Sequence, residues 1–252
     1  MSGRAGAASR GRVHRVLVPD LMEGERELHG PEAHHLANVL RVKPGAPVEA
    51  FDGAGLVAAG SVLAVERQAV TLLLEEPRPA TSEAPLRLTV AVALLKSDKL
   101  SDVVRQCTEL GAADFRLLTT QHADADSISP ARLTRLRRVA GEAARQSGRA
   151  TVPSVHEPVA LSALDWTGAA ILAHPYAVEN LASIWPVGTG AAGGEHPAAA
   201  TVITGPEGGF SDAEVAGLLE RGAKGVSFGP RILRAETAPV ALTAALLLPG
   251  GA

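Results

Sequence analysis

At 252 residues, 46% of them hydrophobic, with a net charge of −3, the chain is read as a folded protein of two domains, and wholesale disorder is excluded. Its single cysteine, Cys107, excludes an internal disulfide and fits a reducing compartment, while no apolar run approaches the ~18 residues of a membrane span. With no secretory apolar stretch after the N-terminal arginines, a soluble, cytoplasmic protein is expected.

The first fifteen residues, "MSGRAGAASRGRVHR", carry Arg4, Arg10, Arg12 and Arg15 and no acid, which makes them a basic arm. Short β-like runs follow at 15–18, 47–51, 56–65 and 69–74, interrupted by one helix, "PEAHHLANVLR" (31–41). In that helix Pro31 stands early, and Leu36, Val39 and Leu40 are spaced for one face. Residues 1–74 are thus expected to form a small β-barrel. "EEPRPATSEAP" (75–85), with three prolines, reads as a linker.

From residue 86 to 252 the pattern changes to alternating strands and helices, the mark of an α/β domain. "LRLTVAVALL" (86–95) predicts a buried strand. The helix after it carries Leu100, Val103, Val104, Cys107 and Leu110 on one face and ends at Gly111. A strand at 114–118 and an arginine-rich helix at about 130–147 come next. Strands near 169–173 and 200–204 flank a small helix at 178–185 and a glycine-rich loop, 188–200. A helix (212–221), a strand (224–228) and a final apolar helix (239–248) complete the chain. Arg132, Arg135, Arg137, Arg138, Arg145 and Arg149 form a second basic cluster with only Glu142 among them; a local patch of this kind can follow a phosphate backbone even on a near-neutral protein.

Two glycine turns carry the chemistry. "GPEGGF" (205–210) has neither the lysine of a P-loop nor the spacing of the dinucleotide fingerprint, and Glu207 would repel a phosphate. Its exit is well specified: Ser211 and Glu214 form a capping box, and Phe210 with Val215 a hydrophobic staple. The glycines therefore predict a tight strand-to-helix turn at the carboxyl edge of a parallel sheet, where open α/β folds bind ligands. "FGPRILRAETAP" (228–239) repeats the device, and the two loops are expected to border one pocket. His174, after a predicted strand, would border it too. No metal site is expected, since His34 and His35 point to different sides of their helix and Cys107 has no partner.

"GPEGGFSDAE" (205–214) followed by "GPRILRAETA" (229–238) resembles the two signature segments of the bacterial small-subunit ribosomal RNA uracil-N3 methyltransferase family, within the knotted SPOUT superfamily. "HHLANVLRVKPGAPVEAFDG" (34–53), "LLKSDKLSDVVRQCTELGA" (94–112) and "EAARQSGRATVP" (142–153) extend the resemblance over most of the chain. The resemblance implies a PUA-like β-barrel followed by a SPOUT-type α/β domain with a mainly parallel sheet and a deep trefoil knot. It also implies a homodimer, S-adenosyl-L-methionine as methyl donor, and as substrate a uridine of 16S ribosomal RNA in the small subunit, position 1498 by convention. Thr204, Gly205, Pro206, Glu207, Gly208 and Gly209 would then lie along the donor, together with Gly229, Ile232, Leu233, Arg234, Thr237 and Ala238. Arg12, Arg15, Arg41, Lys96, Arg135, Arg138 and Arg149 would face the RNA. Two departures stand out: "TTQHADADS" (119–127) replaces the family's Thr-Glu-Arg-Ser, and Ala235 replaces a threonine.

Methylation at uracil N3 requires loss of the imide proton and stabilisation of charge on O2 and O4. Arg234 is the candidate for the oxygens, and Glu236 or Glu207 for the base. The rival expectations are ribose 2′-O methylation on the same fold and a non-catalytic RNA-binding protein.

Overall fold

The computed structural model describes residues 13–123, 127–185 and 197–248. The chain divides into two units: one runs to Glu83 and includes Gly148–Thr151, and the other comprises Ala84–Ser147 and the residues from Val152 onward. Among the described residues no helix is long and apolar enough to cross a membrane.

The first unit is a six-stranded sheet made from β1 (His14–Leu17), β2 (Gly24–His29), β3 (Pro47–Phe51), β4 (Leu56–Val65), β5 (Ala69–Leu74) and β6 (Arg78–Pro79). The order is β1-β3-β4-β5-β2, with β6 on β4, and only β1 and β3 are parallel. Val16, Val48, Ala50, Val62, Val70 and Leu72 form its apolar centre. β2, "GERELH", carries no apolar periodicity, because Leu28 is its only buried side chain. Backbone pairing with β5, from Gly24 opposite Leu74 to His29 opposite Ala69, makes it a strand. β6 shows that the proline-rich stretch supplies a strand to this sheet before the chain leaves the unit.

The helix read over 31–41 is shorter and changes type. An α-turn, α1 (Gly30–His34), widens into a π-turn over His35–Val39. The extra residue per turn rotates the apolar stripe: Leu36 is fully buried, whereas Val39 is exposed. Arg41 then adopts φ 53° and ends the turn.

In the second unit every strand pair is parallel. The strands are β7 (Arg87–Ala93), β8 (Asp114–Thr119), β9 (Ser154–Val155), β10 (Val159–Ala160), β11 (Ala169–Ala173), β12 (Ala199–Thr204) and β13 (Lys224–Val226). Their order is β10-β8-β7-β12-β11-β13, with β9 also on β8. A parallel sheet covered on both faces needs apolar residues at successive positions, which explains the unbroken runs in β7 and β12. Along β7, Leu88, Val90 and Val92 face one apolar cluster and Ala91 the other; along β12, Val202 and Ile203 divide in the same way.

The first face is covered by α2 (Lys99–Leu110), α3 (Pro130–Gln146) and α6 (Thr237–Leu247), through Leu100, Val104, Leu136, Leu242 and Leu246. The second is covered by α5 (Asp212–Glu220) through Leu218, by Leu161 of a 3-10 turn and by Leu164 just after it. α4 is a short turn, Leu181–Ile184. Gly111 closes α2 at φ 111°. Cys107 is buried against α6, where the Thr243 hydroxyl donates to its sulfur at 3.4 Å; burial pushes the thiol up to about 12. The 188–200 loop lies mostly outside the described residues.

Candidate active site

β12 sits between β7 and β11, so the sheet reverses its winding there. The connection leaving β7 runs to β8 on one side, and the connection leaving β12 runs to β13 on the other. A crevice opens outside the carboxyl ends of two strands whose connections diverge, and ligands of open α/β sheets bind at such a point. The segment after β7, the 205–211 turn after β12 and the 228–236 turn after β13 all leave from this edge.

The three segments meet at Lys99, the first residue of α2. Its Nζ lies 2.9 Å from Glu207 Oε1 and 3.4 Å from Glu236 Oε2. The backbone N–H of Lys96 also donates to Glu207 Oε1, at 3.4 Å. Arg234 Nη1 is 4.0 Å from the other oxygen of Glu236, with 83% of its side chain exposed. The two carboxylates differ in how they are held. At Glu207 burial opposes ionisation, but hydrogen bonds from Lys99, its own backbone N–H and Lys96, with the Lys99 charge, outweigh it and keep the carboxyl below the usual glutamate range. Lys99 is raised in turn, chiefly by its hydrogen bond to Glu207, against a desolvation that lowers it, with the Glu207 charge and a weaker hydrogen bond and charge from Glu236 adding to the rise. Glu236 is the N-cap residue of α6, yet its side chain caps nothing, and its buried Oε2 meets Lys99 in a long ion pair.

Each glycine of the first turn has its own reason. Gly209 adopts φ 72°, which favours glycine, and its N–H donates to Pro206 O at 2.9 Å. A Cβ on Gly208 would stand 2.9 Å from the Cβ of His122, and one on Gly205 would press on the Phe210 ring at 3.2 Å. The close approach that Gly208 permits is therefore to the 119–123 segment of the protein itself. That segment, where the family pattern is broken, is fixed again by the Gln121 N–H donating to Glu214 Oε1 at 2.8 Å. Glu214 also completes the capping box: Ser211 Oγ accepts from the Glu214 N–H, and Glu214 Oε2 accepts from the Ser211 N–H at 2.8 Å. Phe210 and Val215 pack on the same apolar cluster. Thr204, at the end of β12, is buried with its hydroxyl unpaired among the described residues.

In the second turn Gly229 has φ 71°, and Arg234 O accepts from the N–H groups of Thr237 and Ala238 at 2.9 and 3.1 Å, starting α6. Leu233 is half-buried, and Ile232 presents 71% of its surface, an unusual exposure for an isoleucine beside two ionised loops. His174 follows β11 at the same edge, its N–H bonded to Val226 O.

The arginines expected to face RNA divide into inward and outward groups. Arg149 is corrected: it is 4% exposed and bonded through Nε and Nη2 to Glu83 Oε2 at 3.1 and 2.7 Å. Arg15 is corrected likewise: it pairs with Glu49 at 2.8 Å, donates to Arg149 O and lies over the Phe51 ring. Both are internal ties of the first unit. On α3, Arg132 bonds Leu95 O and Ser97 O at 2.8 Å, and Arg137 bonds Val155 O, so these two are also structural. Arg41, Lys96, Arg135 and Arg138 are exposed, the last two in ion pairs with Asp98 and Glu142. Arg12 lies outside the described residues.

Sequence reading missed Lys99. A signal was present: of 24 basic residues only four are lysines (Lys43, Lys96, Lys99 and Lys224), and two of them stand three apart at the exit of the first α/β strand.

Residues 82–247 match the family described as RNA methyltransferase domain, and residues 28–75 match the RNA methyltransferase PUA domain. A Synechocystis sp. protein named Ribosomal RNA small subunit methyltransferase E is 34% identical over 229 residues, covering 89% of this chain and 73% of the relative. A Ribosomal RNA small subunit methyltransferase E structure from Neisseria gonorrhoeae, bound to S-adenosyl methionine, superposes with a TM-score of 0.81 at 25% identity, over 93% of this chain and 96% of that one. A Legionella pneumophila structure with bound cofactor SAM gives 0.80 at 27% identity, over 94% and 97%.

Proposed function

The chain belongs to the RNA methyltransferase family of the small subunit methyltransferase E type, and from that premise we propose that it uses S-adenosyl-L-methionine to methylate N3 of one uridine of 16S ribosomal RNA, position 1498 by convention. The observation that carries the reading is the Lys99 clasp, which brings the two glycine-turn loops together at the point where the sheet reverses.

The donor's chemistry fits these residues. The two carboxylates, Glu207 and Glu236, would suit a sulfonium and an α-ammonium better than a phosphate. Thr204 to Gly209, with Gly229, Ile232, Leu233, Arg234, Thr237 and Ala238, would lie along the donor, Ile232, Leu233 and Thr237 surrounding its adenine and methionine portions largely through main-chain atoms. When bound, the donor supplies an electrophilic methyl group. This chain's residues have two tasks. A carboxylate, Glu236 or Glu207, takes the N3 proton, and the exposed guanidinium of Arg234 holds the oxygens where charge gathers. Because the N3 edge is used in pairing, the uridine has to be unpaired or extruded first. Arg41, Lys96, Arg135, Arg138 and the basic arm with Arg12 would follow the RNA backbone. A trefoil-knotted SPOUT domain, a homodimer joined partly through α6, assembled small subunits as substrate and a cytoplasmic location belong to the same reading.

The test is incubation with labelled donor and small subunits lacking the modification, followed by nucleoside mapping. Label at uracil N3 is expected. Label on ribose, or on transfer RNA alone, would overturn the assignment; no donor binding by calorimetry would favour a non-catalytic RNA-binding protein.

A further inference from the structure

The clasp treats its two carboxylates unequally, and resting on the reading above we infer that Lys99 is a positioning residue that commits Glu207 to anchoring the loops and leaves Glu236 as the acceptor of the uracil N3 proton. Glu207 has three donors aimed at it: the Lys99 ammonium at 2.9 Å, the Lys96 N–H and its own N–H. It also stands at the N-terminus of α2, whose dipole favours a negative charge. A carboxylate with its lone pairs so occupied is a poor proton acceptor, because accepting a proton would break the bonds that hold it.

Glu236 is in the opposite condition. Its nearest cations are Lys99 Nζ, 3.4 Å from Oε2 in a long ion pair, and Arg234 Nη1, 4.0 Å from Oε1, so it is held more loosely than Glu207. Although it occupies the N-cap position of α6, its oxygens are not used in capping. A carboxylate held by one long contact keeps acceptor capacity for a substrate proton, which is what a base needs. The groups facing the pair are Lys99 from α2, Lys96 from the turn before it, Arg234 from the second loop and His122 across Gly208. In the step itself the proton passes from N3 to a Glu236 oxygen. The N–H electron pair would stay on nitrogen to bond the methyl carbon while the carbon–sulfur pair leaves with the donor's sulfur as a neutral thioether, and the carboxyl would return its proton to water afterwards.

Two measurements test this on the full-length protein. The first does not depend on activity: in a carbon-13 NMR titration the Glu207 carboxyl should titrate below the ordinary glutamate range, and should rise in Lys99→Met. A Glu207 that titrates normally, or that Lys99→Met leaves unmoved, would overturn the clasp. The second follows methyl transfer against pH. Glu236→Gln should lose at least 100-fold in kcat while donor affinity stays within about threefold. Glu207→Gln should weaken donor binding yet keep the acid limb of the profile. Lys99→Met should weaken donor binding and lower kcat, and Lys99→Arg should restore both. Loss of the acid limb in Glu207→Gln with its retention in Glu236→Gln would reverse the assignment. Absence of transfer by the unaltered protein would count against the proposed function alone, and the titration would still decide the clasp.

Discussion

Gly208 and Gly209 are neighbours with different obligations. Alanine at 209 would have to hold φ near 72°, a left-handed conformation that costs about 1–2 kcal/mol, with open space around its methyl group. Alanine at 208 keeps an ordinary backbone but meets the Cβ of His122 at 2.9 Å and its carbonyl oxygen at 3.2 Å. Gly209→Ala is therefore expected to lower stability in urea by about 1 kcal/mol. Gly208→Ala should displace the 121–123 segment and weaken donor binding in calorimetry with a smaller change in stability; equal effects on both readouts would contradict the distinction. The residue letters announced a loop that needs glycine, since glycine alone tolerates both demands. They could not announce His122, which is brought against Gly208 by the fold and not by any local pattern. Lys99 was hidden for the same reason: its partners Glu207 and Glu236 come from two other loops.

At the scale of elements, legibility followed how local each cause is. The capping box of α5 is complete within four residues, Ser211 to Glu214, and could be read directly. Ser211→Ala should destabilise by about 1 kcal/mol. Because Glu214 also accepts from the Gln121 N–H, amide exchange at Gln121 should quicken in Glu214→Ala by more than in Ser211→Ala. The apolar runs of β7 and β12 were equally legible, since a strand buried on both faces has no polar interruption. β2 was not, because its residues are polar and only the register with β5 makes it a strand. The π-turn at His35–Val39 was hidden by a spacing that fits an α-helix just as well and places Val39 on the wrong side.

Across the whole molecule the arginines carry the clearest lesson. Consecutive arginines in a sequence suggest a surface for polyanions, but inward and outward members look alike until their partners are known. Arg149 finds Glu83, 66 positions away in the chain. Removing Arg149 leaves that carboxylate without its cation, so Arg149→Ala should cost the first unit about 3 kcal/mol in chemical denaturation. Arg138, exposed and paired with Glu142 one helical turn on, should change stability by less than about 0.5 kcal/mol when replaced by alanine. Its loss should instead weaken RNA binding and reduce the salt dependence of that binding by about one unit of slope. If Arg149→Ala proved neutral for stability and Arg138→Ala did not, the division between structural and RNA-facing arginines would fail.

The position of β12 has a consequence for synthesis. Both of its neighbours precede it in the chain, β7 at Arg87–Ala93 and β11 at Ala169–Ala173, so the central place in the second sheet is filled by a latecomer. Until Ala199–Thr204 leaves the ribosome, β7 has an open edge and β11, which pairs with β12 and β13, has no strand partner, an arrangement prone to misassociation. Pairing Val90 with Val202 joins residues more than a hundred positions apart, the kind of non-local contact that slows folding. The crevice between β7 and β12 can thus form only once β12 has been made, and a nascent chain that stops before Ala199 cannot possess it.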